Sequence, residues 1–477
     1  MQGLASAPAK KSLMSQPNII FILIDDLGWR DLACYGSTFY ETPNLDRLAA
    51  EGMRFTDGYA ACPVCSPTRA SIMSGKYPAR VGVTDWIDTG KRLHPLRGKL
   101  VDVPYLDYLP LEETSIASAL REGGYQTWHI GKWHLGWPAY YPEQHGFEIN
   151  VGGSERGGPG GSYFAPWSHP GLAAPEGTYL TDHLTDEAIR LIRERDGRPF
   201  FLNLWHFAVH IPLGAPPELI AKYEEKARAL GLDALDPLQD GGPFHTEDKR
   251  AKRIMHRQFQ SHAVYAAMVE NLDWNIGRLL RAVEEAGEAD NTVVIFTSDN
   301  GGLATAEGSP TCNLPLADGK GWMYEGGTRE PLLVKWPGVT APGSLCTTPT
   351  TSTDFYPTLL EMAGLPPRPE QHVDGVSITP LLRGEPFDRG PLFWHYPHYG
   401  NQGGTPGSSV RLGDYKLIEF YEDSRLELYN LREDIGETHN LVNELPDVTR
   451  DLHARLLAWR ESVEAKIPQP NPEYQAV

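Results

Sequence analysis

Apolar residues fall along this chain in two kinds of grouping, and the difference separates strands from helices. Between Asn18 and Asp25 the sequence reads Ile-Ile-Phe-Ile-Leu-Ile, an unbroken apolar run of strand length closed by two acids, Asp25 and Asp26. A run without alternation predicts a strand covered on both faces, as in the middle of a parallel sheet. Asn291 to Ser298 repeats the design: β-branched and aromatic residues lead into Asp299, Asn300 and two glycines. Residues 125–130 and 199–207 are further strand candidates. In 42–52, 115–122, 182–194 and 262–286, apolar residues recur instead at helical spacing. Alternation of strand and helix predicts a layered α/β architecture whose central strands end in oxygen-bearing side chains.

Other stretches break the pattern. Residues 152–161 hold six glycines in ten positions and predict a loop. The Pro-, Gly- and charge-rich stretch from Pro212 to Lys249 reads as an irregular insertion. Beyond Gly384 the runs shorten to strands at 392–396, 409–412, 415–420 and 426–430, with Gly413-Asp414 as a hairpin turn, followed by an amphipathic helix at 447–465. The expected division is a larger α/β domain over 1–380 and a smaller antiparallel sheet with a packed helix over 381–477.

Composition narrows the function. With 40% hydrophobic and 22% charged residues the chain of 477 residues is ordinary globular protein, and its 48 Gly and 40 Pro call for many ordered turns and long loops. A net charge of −19 disfavours nucleic acid and anionic membrane surfaces, so any anionic substrate must be held by a local cluster of cations. The longest aliphatic or aromatic run, Ile19 to Ile24, is far short of the ~18 residues of a membrane span. Residues 1–16 lack the basic start and apolar stretch of an export signal, which fits a cytosolic chain or a mature form whose leader was removed. Five sparse cysteines make no disulfide framework.

Candidate chemistry sits in a few short strings. In Cys65-Ser66-Pro67-Thr68-Arg69, Ser66 suits a helix N-cap, Pro67 the first helical position and Gly75 the stop. Cys65 would then lie at the positive end of a short helix, with Arg69 as a guanidinium fork for a tetrahedral oxyanion. Cys62 and Cys65 also have the spacing of a redox pair. Asp25, Asp26, Asp299 and Asn300 are hard oxygen ligands at the ends of neighbouring strands, a donor set for calcium and not for a soft metal. Lys132 and His134, two apart in an extended segment, would point into one cleft.

These strings resemble the type I sulfatases of the alkaline phosphatase superfamily. Cys65-x-Pro67-x-Arg69 with Ile72-Met-Ser-Gly75 is similar to the family signature, and family-like motifs follow in order: Asp25-Asp26-Leu-Gly, Thr42-Pro-Asn-Leu-Asp46, Gly131-Lys132-Trp-His134, Ser298-Asp299-Asn300-Gly-Gly and Glu325-Gly-Gly-Thr-Arg329. The resemblance implies an alkaline phosphatase-like, mixed but mostly parallel sheet between helix layers. It implies oxidation of Cys65 to formylglycine, whose hydrated aldehyde is the nucleophile, by a formylglycine-generating or radical sulfatase-maturating enzyme. It also implies calcium on Asp25, Asp26, Asp299 and Asn300, contact of Lys132 with nucleophile and sulfate, orientation of a hydroxyl by His134, and leaving-group roles for His210 and Lys320. His206 competes with His210 for its role.

The implied activity is sulfate monoester hydrolysis, on a sulfated saccharide at a chain end, with small aryl sulfates as surrogates. Aromatic loops at Asp85-Trp86, Tyr163–Trp167 and Trp394–Tyr399 would stack on sugar faces. Three other readings are compatible with the residues: a phosphate or phosphonate ester hydrolase on the same scaffold, a Cys62–Cys65 redox protein, and a non-catalytic binder with unmodified Cys65.

Overall fold

The computed structural model describes residues 16–88 and 96–475; the leader reading of the first residues lies outside them apart from Gln16. The Asn18–Ile24 strand stands in the middle of a nine-stranded sheet, flanked in parallel by Phe200–Trp205 on one side and Thr292–Ser298 on the other. Gln126–Gly131 and Ile149–Val151 extend the parallel half. Beyond Thr292–Ser298, Arg329–Lys335 runs antiparallel between it and Met53–Tyr59, with Ser344–Cys346 at the far edge. The sheet is therefore mixed and mostly parallel, as expected. The Met53–Tyr59 and Arg329–Lys335 strands are additional to those read from the pattern.

The apolar run at 18–24 is continuous because both faces are covered. Ile20, Ile22 and Ile24 belong to one core, which they share with Leu184 and Ile192 of the Leu180–Glu194 helix and Leu272 and Ile276 of Ala263–Glu285. Ile19, Phe21 and Leu23 belong to the opposite core, with Ile72 and Met73 of Cys65–Ser74 and Leu120 of Ile116–Glu122. The expected insertion at 212–249 is not irregular throughout. It contains the 13-residue helix Pro217–Ala229, started by its proline, and the strand Leu238–Pro243, which pairs with Arg253–Arg257.

Leu392–Tyr396, Gly407–Leu412, Tyr415–Phe420 and Arg425–Asn430 form a four-stranded antiparallel sheet, turned at Gly413-Asp414. The Pro446–Ser462 helix covers one face; its Trp459 stacks on Phe393 at 4.8 Å. A buried ion cluster joins this sheet to the large one. Lys416 Nζ lies 2.9 Å from Glu325 Oε1 and 3.0 Å from Glu437 Oε1, Arg329 pairs with Glu325 Oε2 at 2.6 Å, and Arg411 pairs with Asp57 at 2.7 Å. Among the described residues no helix is long and apolar enough to cross a membrane.

Candidate active site

Parallel pairing places Ile24 opposite Ser298, so the two residues after each strand meet at the carboxyl edge of the sheet. Asp26 N donates to Asp299 Oδ1 (3.2 Å), and Asn300 Nδ2 donates to Asp26 Oδ1 (2.8 Å). Asp25, Asp26, Asp299 and Asn300, the expected ligand set, are thus gathered in one place, all of them buried. The glycines after Asn300 have a steric reason. Gly301 N donates to Gly327 O (3.0 Å), and a Cβ on Gly301 would lie 1.7 Å from Gly326 O, so the Ser298–Gly302 and Glu325–Arg329 strings pack backbone against backbone.

Cations surround these acids. Lys132 Nζ donates to Asp25 Oδ2 (2.7 Å), Lys320 Nζ lies 2.8 Å from Asp26 Oδ1 and 2.9 Å from Oδ2, and Arg69 donates to Asp299 Oδ2 through Nε (2.9 Å) with Nη2 at 2.7 Å. Arg69, expected as an oxyanion fork, is held by protein groups in this structure. Its guanidinium is fully buried, holds Asp299 and the Lys132 carbonyl (2.9 Å), and lies over the Trp205 ring. It braces Asp299 and does not itself line the cavity beside Cys65.

The donor set fits a cation on evidence internal to the chain. Asp25 Oδ1 and Asn300 Oδ1 are buried and accept no hydrogen bond, although Arg69 Nη2 stands 3.9 Å from the former. Unpartnered buried acceptors are costly, and a carboxylate and an amide oxygen are hard ligands suited to calcium. Burial, opposed by Lys132 and reinforced by Asp299 and Asp26, pushes Asp25 up to about 8. Burial also opposes ionisation of Asp26, but Lys320, His210 and Lys132 hold it below the ordinary carboxylate range. A ring nitrogen of His210 and one oxygen each of Asp25 and Asp26 lie within 4.8 Å of one another, so His210 borders the cation position.

Cys65 opens the Cys65–Ser74 helix, but Val64, not Ser66, occupies the N-cap position. Ser66 instead donates to the His134 carbonyl (2.9 Å) and accepts from Ile87 N (3.1 Å), tying three segments together. Gly75 ends the helix at φ 70°, where a Cβ would lie 2.5 Å from His372 Cβ. His134 is not in an extended segment either: its φ is 57°, so a turn after Gly131, rather than strand alternation, brings it beside Lys132. His134 Nε2 is 2.8 Å from Ile87 O, which can only accept, so Nδ1 presents its lone pair to Cys65 Sγ at 3.4 Å. Burial, then Lys132, pushes His134 far down, and burial pushes the Cys65 thiol up against Lys132 and Lys320. Burial, then Lys320, brings His210 down to about 3; burial opposes the charge on Lys320 as well, but Asp26 together with Cys65, Asp25 and Glu307 holds its ammonium well above the ordinary lysine range.

Cys65, His134, His210 and Lys320 line one cavity of about 450 Å³. Gly157 and Gly158 of the glycine-rich loop, the Trp86–Asp88 segment, Glu307, Asn401 and Gln402 complete its wall. His206, the competitor of His210, is buried with both ring nitrogens unpartnered and does not line it. The aromatic loops are corrected as well. Trp86 lines the cavity, whereas Tyr163, Trp167, Trp394, Tyr396 and Tyr399 are buried core residues. Glu307, Asn401 and Gln402 carried no sequence signal beyond the glycines around them.

Residues 17–365 match the sulfatase family, and residues 318–462 match the C-terminal region described for N-sulphoglucosamine sulphohydrolase. This chain belongs to the sulfatase family. It is a sulfuric ester hydrolase with carbohydrate and aryl sulfatases among its relatives. The sulfatase shares 36% identity with a sulfatase of Formosa agariphila over 96% of this chain and 91% of the relative. It shares 32% with human arylsulfatase A over 91% and 85%. Among solved structures it resembles Ps i-CgsB bound to a neocarrahexaose, with 28% identity, 93% of both chains covered and a TM-score of 0.74. It also resembles a protein solved with its substrate D-glucosamine-2-N,6-O-disulfate, with 25% identity over 96% of this chain and all of that one, and a TM-score of 0.73.

Proposed function

We propose that this sulfatase removes sulfate from a saccharide, acting at a chain end, through a formylglycine made from Cys65 by a maturating enzyme and a calcium ion held by Asp25, Asp26, Asp299 and Asn300. The observation that carries the reading is the convergence of Cys65, His134, His210 and Lys320 on one cavity beside buried, unpartnered acceptors of Asp25 and Asn300. When present, calcium would offset the carboxylates and polarise a sulfuryl oxygen, and the hydrated aldehyde at position 65 would supply the nucleophilic hydroxyl.

The remaining work belongs to the chain's own side chains. Arg69 holds Asp299 in place, and Lys132 does the same for Asp25, so the ligand oxygens keep their positions while substrate enters. His134, its tautomer set by the Ile87 carbonyl, holds a lone pair toward residue 65, where it receives a hydroxyl proton. Lys320 carries its proton into the cavity, where with His210 it stabilises or protonates the departing alcohol oxygen. Tyr163 Oη, 2.7 Å from Phe207 O and 2.8 Å from His210 O, fixes the backbone that carries His210.

Tryptic mass spectrometry of active enzyme tests the nucleophile, with formylglycine expected at position 65; an active enzyme carrying only unmodified cysteine would overturn it. Paired turnover of an aryl sulfate and the corresponding aryl phosphate tests the ester class, with sulfate expected to be faster.

A further inference from the structure

The cavity changes character from floor to mouth. Its floor carries Lys320 beside the acids and Cys65; among the described residues lining the rest, the charged side chains are Asp88 and Glu307, both acidic. Glu307 is exposed and has φ 54°, a left-handed backbone that glutamate rarely adopts. Its carboxylate is nonetheless fixed. Oε1 accepts from Asn401 Nδ2 (2.9 Å) and Oε2 from Gln402 Nε2 (3.1 Å). Both amides are more than nine-tenths buried, and Lys249 Nζ braces Asn401 by donating to its carbonyl (2.9 Å). Lys249 does not itself line the cavity. Gln402 Oε1 is buried without a partner at this wall.

A carboxylate oxygen has two acceptor sites, so each oxygen of Glu307 keeps one after bonding its amide. Such a wall welcomes hydroxyl or ammonium donors. A second anion placed against it would be partly desolvated next to a like charge.

We propose that the mouth selects a neutral or amino sugar whose single sulfate is its only anionic group, and that Glu307 excludes sugars with a second sulfate or a uronate carboxylate. This rests on the saccharide sulfatase reading and deepens it. It sets this chain apart from the relative solved with a disulfated glucosamine.

Hydrolysis of 4-nitrophenyl sulfate, with sugars added as competitors, tests the proposal whether or not each sugar is turned over. Monosulfated hexoses and N-acetylhexosamines should compete at least about 10-fold more strongly than their disulfated forms or uronate-linked disaccharides. Glu307→Gln should narrow that gap by about 5-fold or more, and Glu307→Lys should invert it; the position is exposed, so both proteins should fold. Equal competition by singly and doubly charged sugars, a gap unmoved by either substitution, or no competition by any sugar would overturn the selectivity and leave sulfate ester hydrolysis standing. Enzyme that carries formylglycine at 65 but cleaves neither the aryl sulfate nor any sugar would overturn both.

Discussion

Around Glu325, three buried carboxylates (Asp57, Glu325, Glu437) face three cations (Arg329, Arg411, Lys416); around Asp26, three more (Asp25, Asp26, Asp299) face Arg69, Lys132 and Lys320. Each cluster even contains one carboxyl that burial pushes up to about 8: Glu437 against Lys416 in the first, Asp25 against Lys132 in the second. What separates them is access. Both oxygens of Glu325 are engaged, by Lys416, Arg329 and Tyr59, and the cluster seals the junction of two sheets. The Asp26 cluster leaves Asp25 Oδ1 and Asn300 Oδ1 unpartnered and reaches a cavity through Lys320 and His210. Charge balance, shifted titration and even an acceptor without a hydrogen bond, Glu437 Oε1, are thus shared by a structural joint and the candidate active site; the adjoining cavity distinguishes the second.

The comparison breaks most visibly at its two ends. Cys65→Ala should lower aryl sulfate kcat/KM by about 10⁴-fold or more while leaving the thermal midpoint nearly unchanged, which steady-state kinetics and calorimetry together would show. Lys320→Met should lose about 10²–10³-fold in kcat/KM, the usual effect of removing one preorganised charge. Lys416→Met should do the reverse: it leaves Glu325 Oε1 and Glu437 Oε1 without their cation, lowers stability by about 3–5 kcal/mol in urea titrations, and spares kcat/KM of the folded fraction. If the two lysine variants showed the same profile, the clusters would not differ in kind.

Smaller effects sharpen the picture. After chelation, calcium at about 100 times its Kd should add about 2.7 kcal/mol of stability. Asp25→Asn should abolish that gain and Glu437→Gln should keep it. The mildest test uses protons. Burial lowers His145 to about 4, so the folded state stays neutral while the unfolded chain takes up a proton below about 6.5. Its contribution is complete above about pH 6.5 and lost as pH falls toward 4, amounting to about 1–2 kcal/mol near pH 5. His145→Phe should flatten that part of the pH–stability curve, measured from urea midpoints.

Legibility followed how local the physics is. The strand at 18–24 and the helix at 263–285 were visible because burial on two faces or one face writes its period directly into sequence. Asp25, Asp26, Asp299 and Asn300 were visible because each follows such a strand. Ser66 misled because an N-cap and a serine latch to another segment look identical in sequence. Arg69 is ambiguous in the same way, since a guanidinium fork binds a buried aspartate as readily as a substrate anion, and its contact with Asp299 came only with the fold. The aromatics at 163–167 and 394–399 suit either a sugar face or plain packing, and the structure buries Tyr163, Trp167, Trp394, Tyr396 and Tyr399; an aromatic side chain carries no mark of whether its partner is protein or ligand.

By itself, then, the sequence determined the strands, the acids that end them and the order of the family strings, because those depend on neighbours a few residues away. Only the tertiary structure decided which cations face which acids, that His134 turns its Nδ1 to Cys65, and that Glu307, Asn401 and Gln402 share one wall. Those outcomes join segments from 69 to 294 positions apart, and the free energy of such contacts exists only once the chain has closed around them.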